Sequence, residues 1–488
     1  MSYNALTLSV LLWLLAIPGV SATIHYVDPN SPAPTPPYTN WSAAANSIQD
    51  AIDAADSGDL VLVTSGVYAT GGRTSSGNSA DLTNRVVVTK PVTVRSVNGP
   101  GLTFIQGYQV PGNTNDASAV RCVFLSNEAV LSGFTLTNGA THAWSASREY
   151  ASGGGTYCDV TTSATVTNCF LINNSASVRG GGAYGGRLIN CVLRGNSSEN
   201  GGGAYLARLD NCVVGGNFAS FGGGVCNSIF VNCTIVSNTA GGSGGAGLGT
   251  SLESNPRLHL WGATNSIVCY NTATNGQNYT PSPPDPYLQI LVPFYYCCTT
   301  PLPLGLNNFT NEPLLANPGE GDYHLEFNSP CINAGKNAAV AVTNDLDGNP
   351  RVSGGTADLG AYELPNPASI ISYAWLQQYD LPTDGSADSL DSDSDGMNNW
   401  QEWRAGTDPM NGLSVLRLSS ISITGAVATV RWQSASNVMY TLERSTNLLA
   451  QPAFLPIKTN IAGTAGTVAC PDTNLPAVGP AFYRLNVQ

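Results

Sequence analysis

A beat of about 21 residues in the middle of the chain constrains the fold more than any other feature. Asn168-Cys169, Asn190-Cys191, Asn211-Cys212 and Asn232-Cys233 follow one another at separations of 22, 21 and 21 residues. Five residues after each Cys stands an Asn, at Asn174, Asn196, Asn217 and Asn238, and the same offset picks out Asn138 from Gly133 and Asn271 from Ser266. Glycine triplets keep the same time at 153–155, 180–182, 201–203 and 222–224. Such regularity marks stacked units, each too small to bury a core alone.

Short alternating runs such as Cys191-Val192-Leu193 and Cys212-Val213-Val214 lie between these marks and suit strands of a few residues. The glycines exclude a helix. A unit of this length with short strands and tight turns is one coil of a parallel β-helix, with equivalent residues about 4.8 Å apart on successive coils. The Asn column is then expected to satisfy itself as an amide ladder. The Cys column reads as buried thiols, because in-register Cβ atoms point the same way and suit a disulfide poorly.

Composition narrows the partners. Of 488 residues 10% are charged, Gly numbers 53, and the lysines are Lys90, Lys336 and Lys458 alone. A formal net charge of -13 argues against nucleic acid, which needs clustered cations, and says nothing against polysaccharide. Residues 1–22 carry an apolar run, Leu6 to Ile17, then Pro18-Gly19 and the small-residue ending Val20-Ser21-Ala22. That pattern fits a secretory leader cut after Ala22, although no Lys or Arg precedes the apolar run. The run is too short to span a bilayer and no later segment is apolar enough, so the expectation is an exported chain, with no membrane span, that begins at Thr23.

The Asn-Cys…Asn…Gly-Gly-Gly-Ala-Tyr coils, seen from Asn190 to Asn196 and Gly201 to Tyr205, resemble the polymorphic outer-membrane-protein and pectate-lyase-like β-helix repeats of bacterial exported proteins. Ile24 to Asp28, Ser47 to Ile52, Gly58 to Val63 and Gly66 to Tyr68 resemble the N-terminal cap of such proteins, a short helix leading into the first coil. Ser329 to Gly335, Asp345 to Arg351 and Asp358 to Glu363 resemble the end of choice-of-anchor Q proteins. The resemblance covers residues 23–365 and implies a right-handed single-stranded parallel β-helix at a secreted or cell-surface location. A fold of this kind hosts many functions.

Asp391, Asp393, Asp395 and Gly396, with Glu402 at the twelfth place, match the calcium-loop spacing. Met397 offers its carbonyl, Asn399 takes the often water-mediated ninth place, and Glu402 can bind through both oxygens. The loop resembles single dockerin-like and thrombospondin type 3-like calcium repeats. Only one loop is present, so cohesin binding does not carry over, and a metal staple between domains is the expected role, with a short helix from Ile370 to Tyr379 before it. An acidic solvated turn is the alternative. Beyond it, Val427–Trp432, Met439–Arg444 and Phe482–Val487 alternate between Gly, Asn and Pro turns, which suits a fibronectin III-like β-sandwich. The expected organisation is a leader 1–22, a β-helix 23–365 (cap 23–70, regular coils about 132–275, terminal coils to 365), a helix and calcium loop 366–412, and a sandwich 413–488.

No catalytic constellation stands out. Between 132 and 300 the acids are Glu149, Asp159, Glu199, Asp210, Glu253 and Asp285, none at coil spacing from another, and Lys is absent from 91 to 335. Paired carboxylates for hydrolysis, or acids beside a base for elimination, are therefore not evident, and His142 and His259 stand alone. Two columns are candidates for glycan binding. Tyr157, Tyr184 and Tyr205 would form either an aromatic row for sugar rings or an ordinary packed stack. Arg187 and Arg208 would either grip an anionic glycan or point to solvent. The leading expectation is an exported, non-enzymatic β-helix that binds polysaccharide or a cell-surface glycan. A polysaccharide lyase or hydrolase with its site in loops such as Thr141 to Ala151 or Leu252 to Trp261, and a structural spacer, are the alternatives.

Overall fold

The computed structural model describes residues 22–75, 81–143, 149–159, 161, 163–242, 244–249, 262–274, 278–279, 294–476 and 479–487. Each regular coil is laid down as four short strands, for example Ala183–Tyr184, Arg187–Ile189, Val192–Arg194 and Ser197–Asn200. Each pairs in parallel with its equivalent one coil on, placing Ala183 beside Ala204, Arg187 beside Arg208, Val192 beside Val213 and Ser197 beside Phe218. The stacks form sheets of 17, 8 and 4 strands. The largest contains two faces of the coil, which merge because the long strand Gly262–Cys269 pairs with both Ile229–Val231 and Thr234–Val236. This is the parallel β-helix, and crossover chirality makes it right-handed.

The Asn-Cys dipeptide has a local explanation. Asn168, Asn190, Asn211 and Asn232 hold φ of 51, 52, 57 and 52, a left-handed bend that Asn tolerates, and this bend is the corner between the two faces. The following Cys then points into the core. Its sulfur accepts the N–H of the equivalent Cys one coil back, at 3.4 Å for Cys191 on Cys212 and 3.3 Å for Cys212 on Cys233. All twelve cysteines are free and buried, and burial pushes the Cys122 thiol up to about 12.

The amide ladder runs from Asn174 through Asn196, Asn217, Asn238 and Asn271 to Asn278. Each Nδ2 donates to the next Oδ1 at 2.9 to 3.1 Å, and that same oxygen accepts the backbone N–H. Asn138 does not join, contrary to expectation. Thr135 stands beside Phe170, so Asn138 aligns with Asn173, at a bend where both take positive φ, and the Gly139 N–H meets Asn174 Oδ1 at 2.8 Å. The triplet glycines lie where chain crosses chain: a Cβ on Gly181 would stand 2.3 Å from the Ser197 carbonyl oxygen.

Stacking begins well before the regular beat. Ile24–Val27 pairs with Leu60–Val63, which pairs with Thr93–Ser96, then Val130–Ser132 and Thr165–Thr167. These early coils are longer, so their loops obscure the period. Helix α1 (Ile48–Ala54), capped by the Ser47 side chain, turns Ile48, Ala51 and Ile52 inward at this end.

Residues 313–364 add no coil, which corrects the expectation of terminal coils to 365. They fold as an antiparallel hairpin, Leu315–Asn317 with Asp322–Leu325, followed by loops, against the outside of the large sheet. Val213, Val236 and Ile267 face outward there and are covered by Tyr323, Ile332, Leu359 and Ala361. Strands apolar on both faces require such a cover. Gly215 leaves room for it, since a Cβ there would lie 2.8 Å from Tyr323 Oη. The motif residues of this segment knot it together: buried Arg351 faces Glu363 at 3.3 Å and donates to the Asp358 and Gly360 carbonyls, while Asp345 and Asp358 accept backbone N–H groups.

Helices α2 (Tyr373–Gln378) and α3 (Asn399–Ala405) frame the acidic loop. The last segment is two three-stranded antiparallel sheets, Leu418–Thr424 with Val427–Ser434 and Gly466–Asp472, and Leu455–Ala462 with Met439–Ser445 and Phe482–Val487. They close on Val430, Trp432, Tyr440, Leu442, Ile461 and Cys470.

Candidate functional site

The acidic loop gathers its carboxylates. One oxygen from each of Asp391, Asp393 and Asp395 lies within 4.8 Å of the others. Gly396 turns the chain at φ 96, and the capping box of Asn398 and Gln401 starts α3 at once. Glu402 is thereby carried back to the aspartates on the buried side of the helix, at 0% exposure.

Hydrogen bonding within the loop is incomplete in an informative way. Both Asp391 oxygens accept backbone N–H groups, from Asp395 and Gly396. Asp393 and Asp395 each use one oxygen so, for the N–H of Asp395 and of Met397. Asp393 Oδ2, Asp395 Oδ2 and Glu402 Oε2 are buried with no hydrogen-bond partner among the described residues. Burial first, then the charges of Asp393 and Asp395, raise the Glu402 carboxyl from 4.5 to about 7. Ionised carboxylate oxygens are acceptors only, so a cation would satisfy them. The residues present therefore fit calcium, with Asp391, Asp393, Asp395 and Glu402 as side-chain ligands and Met397 placed to offer its carbonyl. Asn399 is turned elsewhere: its Oδ1 accepts from Ser392 Oγ at 2.9 Å and its Nδ2 donates to Ala387 O at 2.9 Å. Its amide fixes the loop to the preceding segment instead of facing the aspartates.

The loop is joined on both sides. Ile371, Leu376 and Ala387 form one core with Trp375, Leu381 and Trp403, and Tyr373 of α2 packs into the cover over the large sheet. On the other side, a Cβ on Gly406, which ends α3, would lie 2.8 Å from Val438 of the sandwich, and Gln433 Nε2 donates to the Leu413 carbonyl.

The two columns proposed for glycan are occupied by other work. Phe124, Tyr157, Tyr184 and Tyr205 stack ring on ring, with centroids 5.6, 4.9 and 5.8 Å apart and planes within 10°. Arg121 lies over Tyr157 at 4.9 Å and Arg179 over Tyr205 at 5.1 Å. Tyr184 and Tyr205 are buried, so their faces do not form an open platform for sugar. Arg187 and Arg208 share one partner: Asp210, itself buried, receives Arg187 Nε at 2.6 Å and both Nε and Nη2 of Arg208 at 3.0 Å. The like charges that face each other along the column are thus tied by an acid on the neighbouring strand position.

His142 stands alone in the sequence, and the fold gives it company. It lies beside Tyr150, ring centroids 6.2 Å apart. Tyr150 is hydrogen-bonded to Asp81, which together with burial pushes its hydroxyl up to about 12. Ser75 Oγ donates to Glu149 at 2.7 Å. Burial first, then Arg121, lowers His142 below its ordinary value. Long insertions bring these residues together, and no spacing rule would have found them. His259 and the loop 252–261 lie outside the described residues.

No protein-family profile matches the chain, and no curated protein does. Among solved structures it is similar to a pectate lyase, at 16% identity and a TM-score of 0.44, over 71% of this chain and 97% of the other. It is similar to the pectin methylesterase of Erwinia chrysanthemi at 11% identity and a TM-score of 0.29, over 51% of this chain and 89% of that one. A pectin methylesterase mutant in complex with a hexasaccharide gives 12%, 0.28, 58% and 80% respectively. Likenesses this distant concern the course of the chain and assign no residue a role. No helix among the described residues is long and apolar enough to cross a membrane.

Proposed function

We propose that this is an exported, non-enzymatic β-helix protein that binds polysaccharide or a cell-surface glycan and holds its C-terminal sandwich to the β-helix with calcium. The single observation that carries the calcium part of the reading is the cluster of Asp391, Asp393 and Asp395, one oxygen of each within 4.8 Å of the others, beside oxygens of Asp393, Asp395 and Glu402 that have no hydrogen-bond partner among the described residues. Calcium supplies charge neutralisation and closes the loop onto α3. Extracellular sites of this type bind at about 0.1 to 1 mM, so such a staple is filled where calcium is abundant, outside the cell. A net charge of -13 leaves neutral polysaccharide as the favoured partner class over polyanions. Calorimetry on the whole chain tests the metal, with binding expected at millimolar calcium and lost in Asp391→Ala or Glu402→Ala. A glycan array run beside a depolymerisation assay tests the rest, with retention of a glycan and no new reducing or unsaturated ends as the expected result.

The gathering of His142, Tyr150, Asp81, Glu149 and Ser75 favours a second reading, a polysaccharide lyase or glycoside hydrolase, because a half-buried His, a Tyr and two acids are the side chains such chemistry draws on. New chain ends that disappear in both His142→Gln and Tyr150→Phe would put this reading first.

A further inference from the structure

The first strand begins with an unusual arrangement around one buried acid. Asp59 follows α1 and is only 6% exposed. Its Oδ2 accepts the Asp56 N–H at 2.8 Å and faces His25 Nε2 at 3.0 Å. Its Oδ1 receives the backbone nitrogen of Thr23 at 2.7 Å. The other ring nitrogen of His25 lies 2.6 Å from the Pro37 carbonyl oxygen, so the imidazole is fixed at both ends. The Thr23 carbonyl accepts from Leu60 N at 2.9 Å, which starts the parallel ladder between Ile24–Val27 and Leu60–Val63. Ala22, Thr23 and Ile24 are exposed, and Val20-Ser21-Ala22 is a small-residue ending of the kind that precedes a secretory cut.

We propose that hydrolysis of the Ala22–Thr23 peptide bond leaves the new α-ammonium of Thr23 on the Asp59 carboxylate, so that the mature N-terminus is an ion pair that pins the first strand. In that hydrolysis the C–N bond breaks, and water supplies the second oxygen of the Ala22 carboxylate and the two hydrogens that turn the Thr23 amide N–H into an ammonium. Before the cut, Thr23 N carries one hydrogen and no charge. After it, the same atom at the same position carries three hydrogens and a positive charge, and a neutral hydrogen bond becomes a charge-assisted one of roughly twice the strength. A buried carboxylate needs such donors, since desolvation works against its charge. Here burial raises Asp59, and the hydrogen bonds from His25, Asp56 N–H and Thr23 N–H outweigh it and hold the group below its ordinary value.

The test uses the whole chain secreted with its own leader, against a second preparation that retains Ala22 ahead of Thr23. N-terminal sequencing is expected to begin at Thr23. Acetylation of the α-amine by a succinimidyl ester near pH 7, followed by mass spectrometry, is expected to run at least about tenfold slower in the Thr23 chain than in the Ala22-retaining chain, the effect of one unit of pKa. Asp59→Asn in the Thr23 chain is expected to remove that protection. A mature chain that begins at another residue overturns the proposal, and so do equal labelling rates in the two preparations, whether or not the Asp59 variant folds.

Discussion

The regular coils and the acidic loop both bury polar side chains, and they resolve the problem in opposite ways. In the coils, Asn196, Asn217 and Asn238 are almost fully buried, and each amide both donates and accepts. Repetition supplies every partner. In the loop, Asp393, Asp395 and Glu402 bury carboxylate oxygens that nothing among the described residues satisfies. An amide carries donors and acceptors together, so a column of amides is self-sufficient, whereas a cluster of carboxylates holds acceptors only. One region is complete within the sequence, and the other leaves acceptors that a cation would satisfy.

The sharpest way to break this comparison is to interrupt the ladder. Asn217→Leu removes the acceptor for Asn196 N and Nδ2 and the donor to Asn238 Oδ1. With orphaned groups at about 1–3 kcal/mol each, a loss of about 3–5 kcal/mol is expected, read from the denaturation midpoint and independent of calcium. A loss below about 1 kcal/mol would mean that the amides are replaceable by packing.

The loop should behave in the converse manner. At calcium a hundredfold above its dissociation constant the folded state gains about 2.7 kcal/mol, and Glu402→Gln is expected to forfeit most of it while leaving the calcium-free stability unchanged or higher. Because the Glu402 carboxyl is raised from 4.5 to about 7 in the folded chain, its ionisation disfavours the fold as pH climbs through that window. Calcium relieves that penalty, so the calcium-dependent rise in melting temperature should be larger at pH 8 than at pH 5. The reverse order would remove Glu402 from the ligand set.

A smaller effect is expected at Asp210, where repetition creates a conflict and one substitution resolves it. Asp210→Asn should cost about 1–2 kcal/mol, since the acid is buried but both arginines are half-exposed and water takes over part of its role. Adding Arg208→Met to that variant should recover part of the loss by removing the like-charge neighbour of Arg187.

The smallest effect belongs to His324, which bridges Asp322 and Asp347 at the hairpin, at 2.5 and 2.6 Å, and leans on the Tyr362 ring. Burial works against its charge, but the hydrogen bonds it donates to Asp322 and Asp347 prevail and raise it above 6.5, while His324 lowers Asp322 below 3.8. The clasp therefore contributes most between these two ordinary values. It is lost as pH rises through the folded value of His324 or falls through that of Asp322. With all three side chains nearly half exposed, His324→Gln should cost a few tenths of a kcal/mol near pH 5.5 and nothing measurable near pH 9.

Legibility followed period and local spacing. The Asn ladder from Asn174 onward could be read because its members recur at coil spacing, and Asn138 misled because a fixed offset from Gly133 ignores that the register there is shifted by one residue. The cluster of Asp391, Asp393 and Asp395 was legible from its spacing, whereas the direction of the Asn399 side chain was not, because a hydrogen bond from Ser392 decides it. The tyrosine column was visible as a column, but its burial was not.

By itself, the sequence determined the coil, because a 21-residue recurrence of Asn, Cys and Gly has one physical solution, in-register stacking that pairs like with like. It also determined the gathering of Asp391, Asp393 and Asp395, because alternate residues within five positions of a tight loop face one side. Only the tertiary structure decided where residues 313–364 lie, since an apolar outer face on Val213 and Val236 can be covered by any segment that reaches it. It alone decided that Asp210 holds both arginines and that Asp59 meets Thr23 N, because these partners come from different strands and turns whose juxtaposition depends on how the coils close. Local patterns are set by neighbours in the chain, and partnerships across coils by the register in which the coils come to rest.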